Sequence, residues 1–405
     1  MVTDREVRVR SDFSTFEFGA FLNLLNQMGE ALELEAPCRL EIDLSRPYFF
    51  GPGGMVPLIS IIDDLVSRGF SVRVAPPVDI GLEAYWDRAG WLAAINGDYP
   101  PIPTGRTTYS PLVSYRNHQE LNAHLNVVID ILAKVTEFPP GVLRAVEWTI
   151  NEIADNVLNH AGGAKGWIQV VTRPGKDQIE FVVADRGLGI RSTLQEAFPN
   201  KLTDQDALRF AIEQGVTRNR AHGAGNGLAG SIRIAEAAKG WVNILSGCGI
   251  LRLFPGVGFR DYPTIPFDGT VVTMTLPTKQ RIDLRETLWG YLPSSGFEFT
   301  HASESGIHFH LSNEATGFGN RGSGEEVATK LRNIMAEFPH DKVILDFEGV
   351  DTPSSSFLDE FLAKLVTEQG LTAFFSRVQF QNMNEFVRTA TDAVISQRLA
   401  HPAED

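Results

Sequence analysis

Cysteine is scarce in this sequence. Among 405 residues only Cys38 and Cys248 are cysteines, they lie far apart, and neither belongs to a Cys-x-x-Cys pair or a Cys/His cluster. Neither a disulfide framework nor a structural zinc site is therefore indicated. This cysteine usage fits a reducing compartment.

Long apolar runs and clusters of basic residues are also missing. No uninterrupted apolar stretch approaches the roughly 18 residues of a membrane-spanning helix, and residues 1–10 are highly charged, without the apolar centre of a signal peptide. Lys and Arg number 36 against 50 Asp and Glu, a formal charge of −14. Because nonspecific binding to nucleic acid or anionic lipid needs clustered positive charge, we expect a soluble cytoplasmic protein with no direct nucleic-acid or membrane partner.

The length and an apolar content of 43% predict a globular chain of two or three domains. Residues 1–97 alternate strand-like and helix-like patterns and predict a small α/β domain. Residues 98–111 contain four prolines and predict an extended linker. Further domains are predicted over residues 112–280 and 297–395, and the fold class as a whole is α/β.

A helix-like segment over residues 146–160 carries Glu152 and Asn156. A spacing of four residues places both side chains on one helix face, and His160 continues the row. Mg²⁺ prefers oxygen ligands such as the Asn156 amide, and a carboxylate such as Glu152 can deprotonate an attacking hydroxyl. An isolated pair of this kind is usually a polar helix surface, so the interpretation depends on the motifs downstream.

Three such motifs follow. Asp185 ends the apolar run 179–184, and a carboxylate at a strand end can accept a hydrogen bond from an exocyclic amine. The turn after it comprises Gly187, Leu188, Gly189 and Ile190. A second glycine-rich segment, which opens a helix and suits phosphate oxygens, comprises Gly223, Ala224, Gly225, Asn226, Gly227 and Leu228. The last motif is a β-rich run that begins at Gly269 and includes Thr273.

Neither a dinucleotide-binding Gly-x-Gly-x-x-Gly after a first strand nor a P-loop Gly-Lys-Ser/Thr occurs, which excludes NAD and P-loop sites. In their order and spacing the four motifs resemble the nucleotide-binding fold shared by gyrase-type, Hsp90-type, histidine-kinase and MutL ATPases, the GHKL family, over about residues 115–278.

The resemblance implies an α+β sandwich that binds ATP and Mg²⁺. Asn156 is then the magnesium ligand, Glu152 the general base, Asp185 the residue that reads the adenine amino group, and Thr273 a support for Asp185 and an adenine-side water. The nucleotide-binding residues it implies are Asn156, Asp185, Gly187, Gly189, Ile190, Gly223, Gly225, Asn226, Gly227, Leu228 and Thr273. The compact layout is nearest to the anti-sigma-factor serine kinases.

The segment 343–350, followed by 353–358, resembles the STAS-like domains of anti-sigma-factor antagonists. The resemblance implies a phosphoacceptor at Ser355 or Ser356, although Ser354 and Phe357 replace the usual Asp and Gly. The alternative is helix capping, with Asp359 three residues after Ser356. Residues 42–56 resemble a degenerate relative of this module.

These resemblances predict a Mg-ATP-binding regulatory protein that hydrolyses ATP or phosphorylates a protein serine. The expected partner is a STAS or sigma/anti-sigma-type regulator, and a homodimer is compatible with the family. The alternative is a non-catalytic, ATP-dependent interaction module. A histidine kinase with His118 as phosphoacceptor is disfavoured, because only one helix fits between His118 and the helix of Glu152.

Overall fold

The computed structural model describes residues 5–32, 38–98, 110–195, 202–213, 227–293, 296, 301–303 and 306–400. The chain divides into two compact units: residues 1–128 with 148–291, and residues 129–147 with 292–405. Of the predicted linker 98–111, only Asp98, Ser110 and Pro111 are described. Within the described residues, no helix combines the length and apolar character needed to cross a membrane.

The first unit begins with a parallel sheet in which the strand order is β1-β3-β5. Helix α2 follows β4 and starts at Pro52, because proline fits the first turn of a helix. This part comprises β1 (Arg5–Arg10), β2 (Thr15–Phe16), α1 (Phe18–Leu32), β3 (Cys38–Asp43), β4 (Phe49–Phe50), α2 (Pro52–Ser67), β5 (Ser71–Ala75), α3 (Ile80–Arg88) and α4 (Trp91–Ile95).

The same unit continues into a five-stranded antiparallel sheet with strand order β6-β7-β8-β10-β9. Its elements are β6 (Val113–Tyr115), α5 (His118–Val135), α6 (Val142–His160), β7 (Gly166–Arg173), β8 (Gln178–Asp185), α7 (Gly189–Gln195), α8 (Asp204–Ala211), α9 (Gly227–Ala237), β9 (Trp241–Phe254), β10 (Gly258–Pro277) and α10 (Leu284–Thr287). The division between the two units falls inside α5 and α6.

The N-terminal sheet and the antiparallel sheet share one hydrophobic core. Helix α2 is buried along most of its length and packs against β7 and β8. Its apolar side chains join Val182 and Ala184 in a single cluster of buried residues. Polar contacts reinforce the packing, since Trp91 Nε1 donates to Gln169 Oε1 at 2.8 Å and Lys165 Nζ lies 2.8 Å from Asp63 Oδ1.

The second unit contains a four-stranded sheet in the order β11-β12-β13-β14, with the last three strands parallel. A buried polar cluster stabilises it: Lys330 Nζ lies 2.6 Å from Asp130 Oδ1 and also pairs with Glu314, which bonds His301 at 2.9 Å. Its elements beyond α5 and α6 are β11 (Ala302–Ser303), β12 (Gly306–His310), α11 (Leu311–Glu314), α12 (Arg321–Glu337), β13 (Val343–Asp346), α13 (Ser355–Leu358), a π-helical turn (Asp359–Ala363), α14 (Lys364–Gln369), α15 (Leu371–Arg377), β14 (Val378–Gln381) and α16 (Glu385–Ala400).

The two parallel sheets have the same topology. In each, three parallel strands are adjacent in chain order, and a helix follows the first and the second strand. The α/β fold class is thereby confirmed. The kinship of the N-terminal domain with STAS-like domains stays a prediction, which this shared topology supports.

Candidate functional site

Glu152 and Asn156 lie on one edge of α6. Ile150, Ile153 and Val157 form the buried face of this helix. Glu152 and Asn156 lie at the border of that face and are half-buried. Burial raises the pKa of the Glu152 carboxyl, and the nearby charge of Asp155 raises it further. A carboxylate with a raised pKa holds a proton more readily, as a general base requires.

The start of α9 comes directly against Glu152. A Cβ atom built on Gly227 would lie only 2.2 Å from Glu152 Oε2, so no other residue fits there without displacing the carboxylate. The opening turn of a helix presents free N–H groups, which suit phosphate oxygens. Gly227 and Leu228 are both half-buried at this turn. The predicted site residues Gly223, Gly225 and Asn226 lie outside the described residues.

Asp185 is buried at the end of β8, with 4% of its surface exposed. Burial raises the pKa of its carboxyl to about 6. Hydrogen bonds from the backbone N–H groups of Gly187 and Thr270 lower the pKa and offset part of this increase. Gly187 N donates to Asp185 Oδ1 at 2.8 Å. A Cβ on Gly187 would lie 2.2 Å from the carbonyl oxygen of Ala161, so this glycine lets the turn approach the end of α6.

Ser246 holds the turn after Asp185 against β10. Its hydroxyl accepts a hydrogen bond from Ile190 N at 2.9 Å and donates to the carbonyl of Gly269 at 2.8 Å. It also lies 3.3 Å from the hydroxyl of Thr270. Gly189 adopts φ +74°, a left-handed conformation that favours glycine. The predicted residues Gly187, Gly189 and Ile190 are thus brought together with Asp185.

Thr273 does not join this group. Thr270 is the residue of β10 paired with Asp185, whereas Thr273 is paired with Val182. Paired residues project to the same face of a sheet and successive residues alternate, so Thr273 lies on the face opposite Asp185. Its hydroxyl accepts from Asn243 Nδ2 at 2.6 Å instead. The position assigned to Thr273 beside Asp185 is therefore corrected to Thr270.

Sequence reasoning also missed a pocket beside Glu152. It has a volume of about 160 Å³ and is lined by His118, Leu121, Asn122, Asn151, Glu152 and Asp155. His118 Nδ1 lies 3.1 Å from Asp155 Oδ1. The spacing of His118 and Asp155 in the sequence gives no sign of this contact, because it depends on the packing of α5 against α6.

In the second unit, the serines after β13 start a helix. Ser354 is the N-cap, and its hydroxyl accepts from Phe357 N at 3.1 Å. Ser356 is half-buried and lies 3.0 Å from the Ser354 hydroxyl, while Ser355 is exposed. The N-cap is thus two residues earlier than in the predicted capping arrangement, which began at Ser356. Asp359 is held by Arg398 at 2.7 Å rather than at the helix start.

Two known families match parts of this chain. Residues 141–280 match the family of histidine kinase-, DNA gyrase B- and HSP90-like ATPases. Residues 323–388 match a STAS-like domain of unknown function, DUF4325. No curated protein matches the sequence. The chain therefore contains a nucleotide-binding ATPase domain. That domain is of the GHKL type and is followed by a STAS-like domain, which confirms both resemblances.

The site fits a magnesium nucleotide. Because Gly227 has no side chain, the first turn of α9 lies directly beside Glu152, and its backbone N–H groups can bind phosphate there. Asp185 is a buried carboxylate that can accept a hydrogen bond from an amino group. Among the described residues, no cluster of three or more His, Cys, Asp or Glu side chains could hold a metal. Magnesium commonly keeps water ligands and binds phosphate oxygens, so a single protein ligand such as Asn156 is compatible with a bound magnesium nucleotide.

Proposed function

We propose that this protein is a Mg-ATP-dependent regulatory enzyme that moves the γ-phosphoryl group of ATP to a hydroxyl, either that of water or that of a protein serine. The observation that carries the proposal is the position of the Glu152 carboxylate against Gly227 at the start of α9. A base placed at a phosphate-binding helix terminus is suited to deprotonate the attacking hydroxyl.

The other site residues then bind and orient the nucleotide. Asp185 accepts from the adenine amino group, and its burial favours that specific contact over water. Asn156 would supply an amide oxygen to magnesium, and the bound ion would neutralise phosphate charge. The amides of Gly227 and Leu228 bind phosphate oxygens. Gly223, Gly225 and Asn226 keep their predicted role in the same segment.

The STAS-like domain supplies the regulatory output in this proposal. Nucleotide binding and turnover alter its contacts with a protein partner, such as a STAS or sigma/anti-sigma-type regulator. Ser355 is the preferred phosphoacceptor, because it is exposed while Ser356 is half-buried against Ser354. A phosphoryl group on Ser355 would sit at a helix start, where negative charge is stabilised.

The test uses γ-labelled ATP and Mg²⁺ with the purified chain, and follows free phosphate and protein-bound label together. Glu152→Gln should abolish both products while ATP still binds, because the amide keeps the shape and removes the base. Ser355→Ala should abolish bound label only, with Ser356→Ala as the matched control. ATP binding is also measured for Asp185→Asn, Asn156→Ala and Gly227→Ala. If all three variants bind ATP as well as wild type does, the proposed site is wrong.

Two other results would point to different functions. ATP binding without phosphate release or label would support the non-catalytic interaction module, in which nucleotide occupancy alone controls a partner. Acid-labile label on His118 would support the histidine kinase. Glu152→Gln identifies the interaction module, since control of a partner by nucleotide occupancy alone does not require the carboxylate.

A further inference from the structure

The pocket between α5 and α6 adjoins Glu152. It has a volume of about 160 Å³, and α5 contributes His118, Leu121 and Asn122 to its lining. Space of this size accommodates several water molecules or one small side chain. Glu152 thus takes part in two environments, the start of α9 at Gly227 and this pocket.

The pocket has the polar lining expected of a site for a hydroxyl group. Asn122, Asn151 and His118 can each donate or accept a hydrogen bond, and Glu152 can accept one. Leu121 is the apolar lining residue and is buried.

Asp155 lies next to the imidazole of His118. Its Oδ1 lies 3.1 Å from His118 Nδ1, and its Oδ2 accepts from Asn159 Nδ2 at 2.5 Å. A carboxylate at this distance favours the tautomer with the proton on Nδ1. The other nitrogen, Nε2, then remains to accept a hydrogen bond from a group in the pocket.

We propose that this pocket admits the hydroxyl acceptor of the phosphoryl group, with His118 orienting it beside Glu152. The inference rests on the proposed function. The acceptor O–H gives its proton to the Glu152 carboxylate, and the acceptor oxygen forms a bond to the γ-phosphorus of ATP. The bond from that phosphorus to the β,γ-bridging oxygen breaks, and its electron pair leaves with ADP. Water yields phosphate, and a serine hydroxyl yields phosphoserine.

A bulky residue at the mouth of the pocket tests the proposal. Asn122 is exposed and lines the pocket, so Asn122→Trp should fill it without disturbing the core. Asn126 is exposed one turn further along α5 and does not line the pocket, which makes Asn126→Trp the matched control. Both variants are compared with wild type in ATP affinity, phosphate release and protein-bound label.

Asn122→Trp should lower product formation at saturating ATP by about tenfold or more, while its ATP affinity and the behaviour of Asn126→Trp stay within about twofold of wild type. His118→Ala is a second variant at an exposed position, and it should lower the rate constant at saturating ATP without changing ATP affinity. His118→Gln should restore part of the rate, because its amide can still accept a hydrogen bond.

The outcomes separate the inference from the proposed function. If wild type forms product and both Asn122→Trp and His118→Ala match it, the acceptor does not use this pocket and the inference is wrong. If wild type binds ATP but forms no product, the catalytic proposal fails and the inference fails with it. Reduced phosphate release identifies water as the acceptor in the pocket, and reduced label identifies serine.

Discussion

The carboxylate of Glu152 occupies the space where a side chain on residue 227 would begin. A Cβ atom at that position would lie 2.2 Å from Oε2, and 3.5 Å from the Cβ of Glu152 itself. Since the nearest atom belongs to a flexible side chain, Gly227→Ala should displace the carboxylate without unfolding α9. We expect turnover to fall about tenfold or more, with a stability change below about 1 kcal/mol.

Gly19→Ala is the matched control, because a Cβ built on Gly19 in helix α1 meets nothing within 4 Å. Phosphate release and thermal unfolding should be measured for both variants. Wild-type turnover in Gly227→Ala would show that the position of the Glu152 carboxylate at α9 does not matter for the reaction.

The buried Asp185 should give opposite pH trends for stability and ligand binding. Its pKa of about 6 in the fold exceeds the ordinary value of 3.8, because burial disfavours the charged form. The folded state therefore binds the proton more tightly than the unfolded state between these values, and the contribution of Asp185 to stability falls as pH rises through them. Binding of adenosine should strengthen over the same range, because an ionised carboxylate accepts the hydrogen bond from the adenine amino group more strongly than the neutral acid does.

Asp185→Asn removes this titration. When the pH rises from about 4.5 to about 7.5, wild type should lose about 2 kcal/mol of unfolding free energy more than the variant does. Adenosine affinity in the variant should be lower and independent of pH. Urea unfolding and calorimetric titration at both pH values provide the comparison, and a constant difference would contradict the raised pKa.

Local patterns in the sequence were sufficient to locate Glu152 and Asn156 on one helix face and Asp185 at a strand end. Such features depend on residues within one or two turns of each other, so periodicity and turn chemistry report them directly. The first and second motifs also proved to be neighbours, through the contact of Gly187 with the end of α6 at Ala161.

The errors and omissions concern pairing between distant segments. Thr270 and Thr273 both suit a β-strand, and only the register of β10 against β8 decides which of them faces Asp185. Ser246 belongs to a strand that reaches the site from another part of the sheet. The pocket of His118 and Asp155 likewise depends on helix packing, which single-segment patterns do not contain.

Arg186 links the turn after Asp185 to the N-terminal domain. Its buried guanidinium lies 3.6 Å from Asp64 on α2 and 3.6 Å from the largely exposed Asp268. The guanidinium also stacks over the ring of Phe267 at 4.6 Å. In Asp64→Asn the buried Arg186 guanidinium would keep only the exposed Asp268 as a charged partner. This loss should cost about 1–2 kcal/mol of stability and weaken ATP binding by a few fold.

Asp12→Asn provides the comparison for Asp64→Asn, because Asp12 pairs with Arg10 and Arg46 at the surface. Loss of such an exposed pair should change stability by less than about 0.5 kcal/mol and leave ATP affinity unchanged. Equal effects of the two substitutions in urea unfolding and nucleotide titration would show that α2 does not support the turn after Asp185.

His124 should make the protein sensitive to mild acid. It is fully buried on α5, and in the described part of the chain neither ring nitrogen has a hydrogen-bond partner. Burial lowers its pKa to about 4, from an ordinary 6.5. The unfolded state therefore binds a proton before the folded state does, so the contribution of neutral His124 to stability is complete above about pH 6.5 and is lost as pH falls towards 4.

His124→Leu replaces the buried imidazole with an apolar side chain and removes the titration. Between about pH 7.5 and about pH 5, wild type should lose about 2 kcal/mol of unfolding free energy more than the variant does. His340 is exposed, so His340→Leu should retain the wild-type pH dependence. Urea unfolding at both pH values gives the comparison. Parallel losses in wild type and His124→Leu would mean that His124 is not the group whose protonation destabilises the fold.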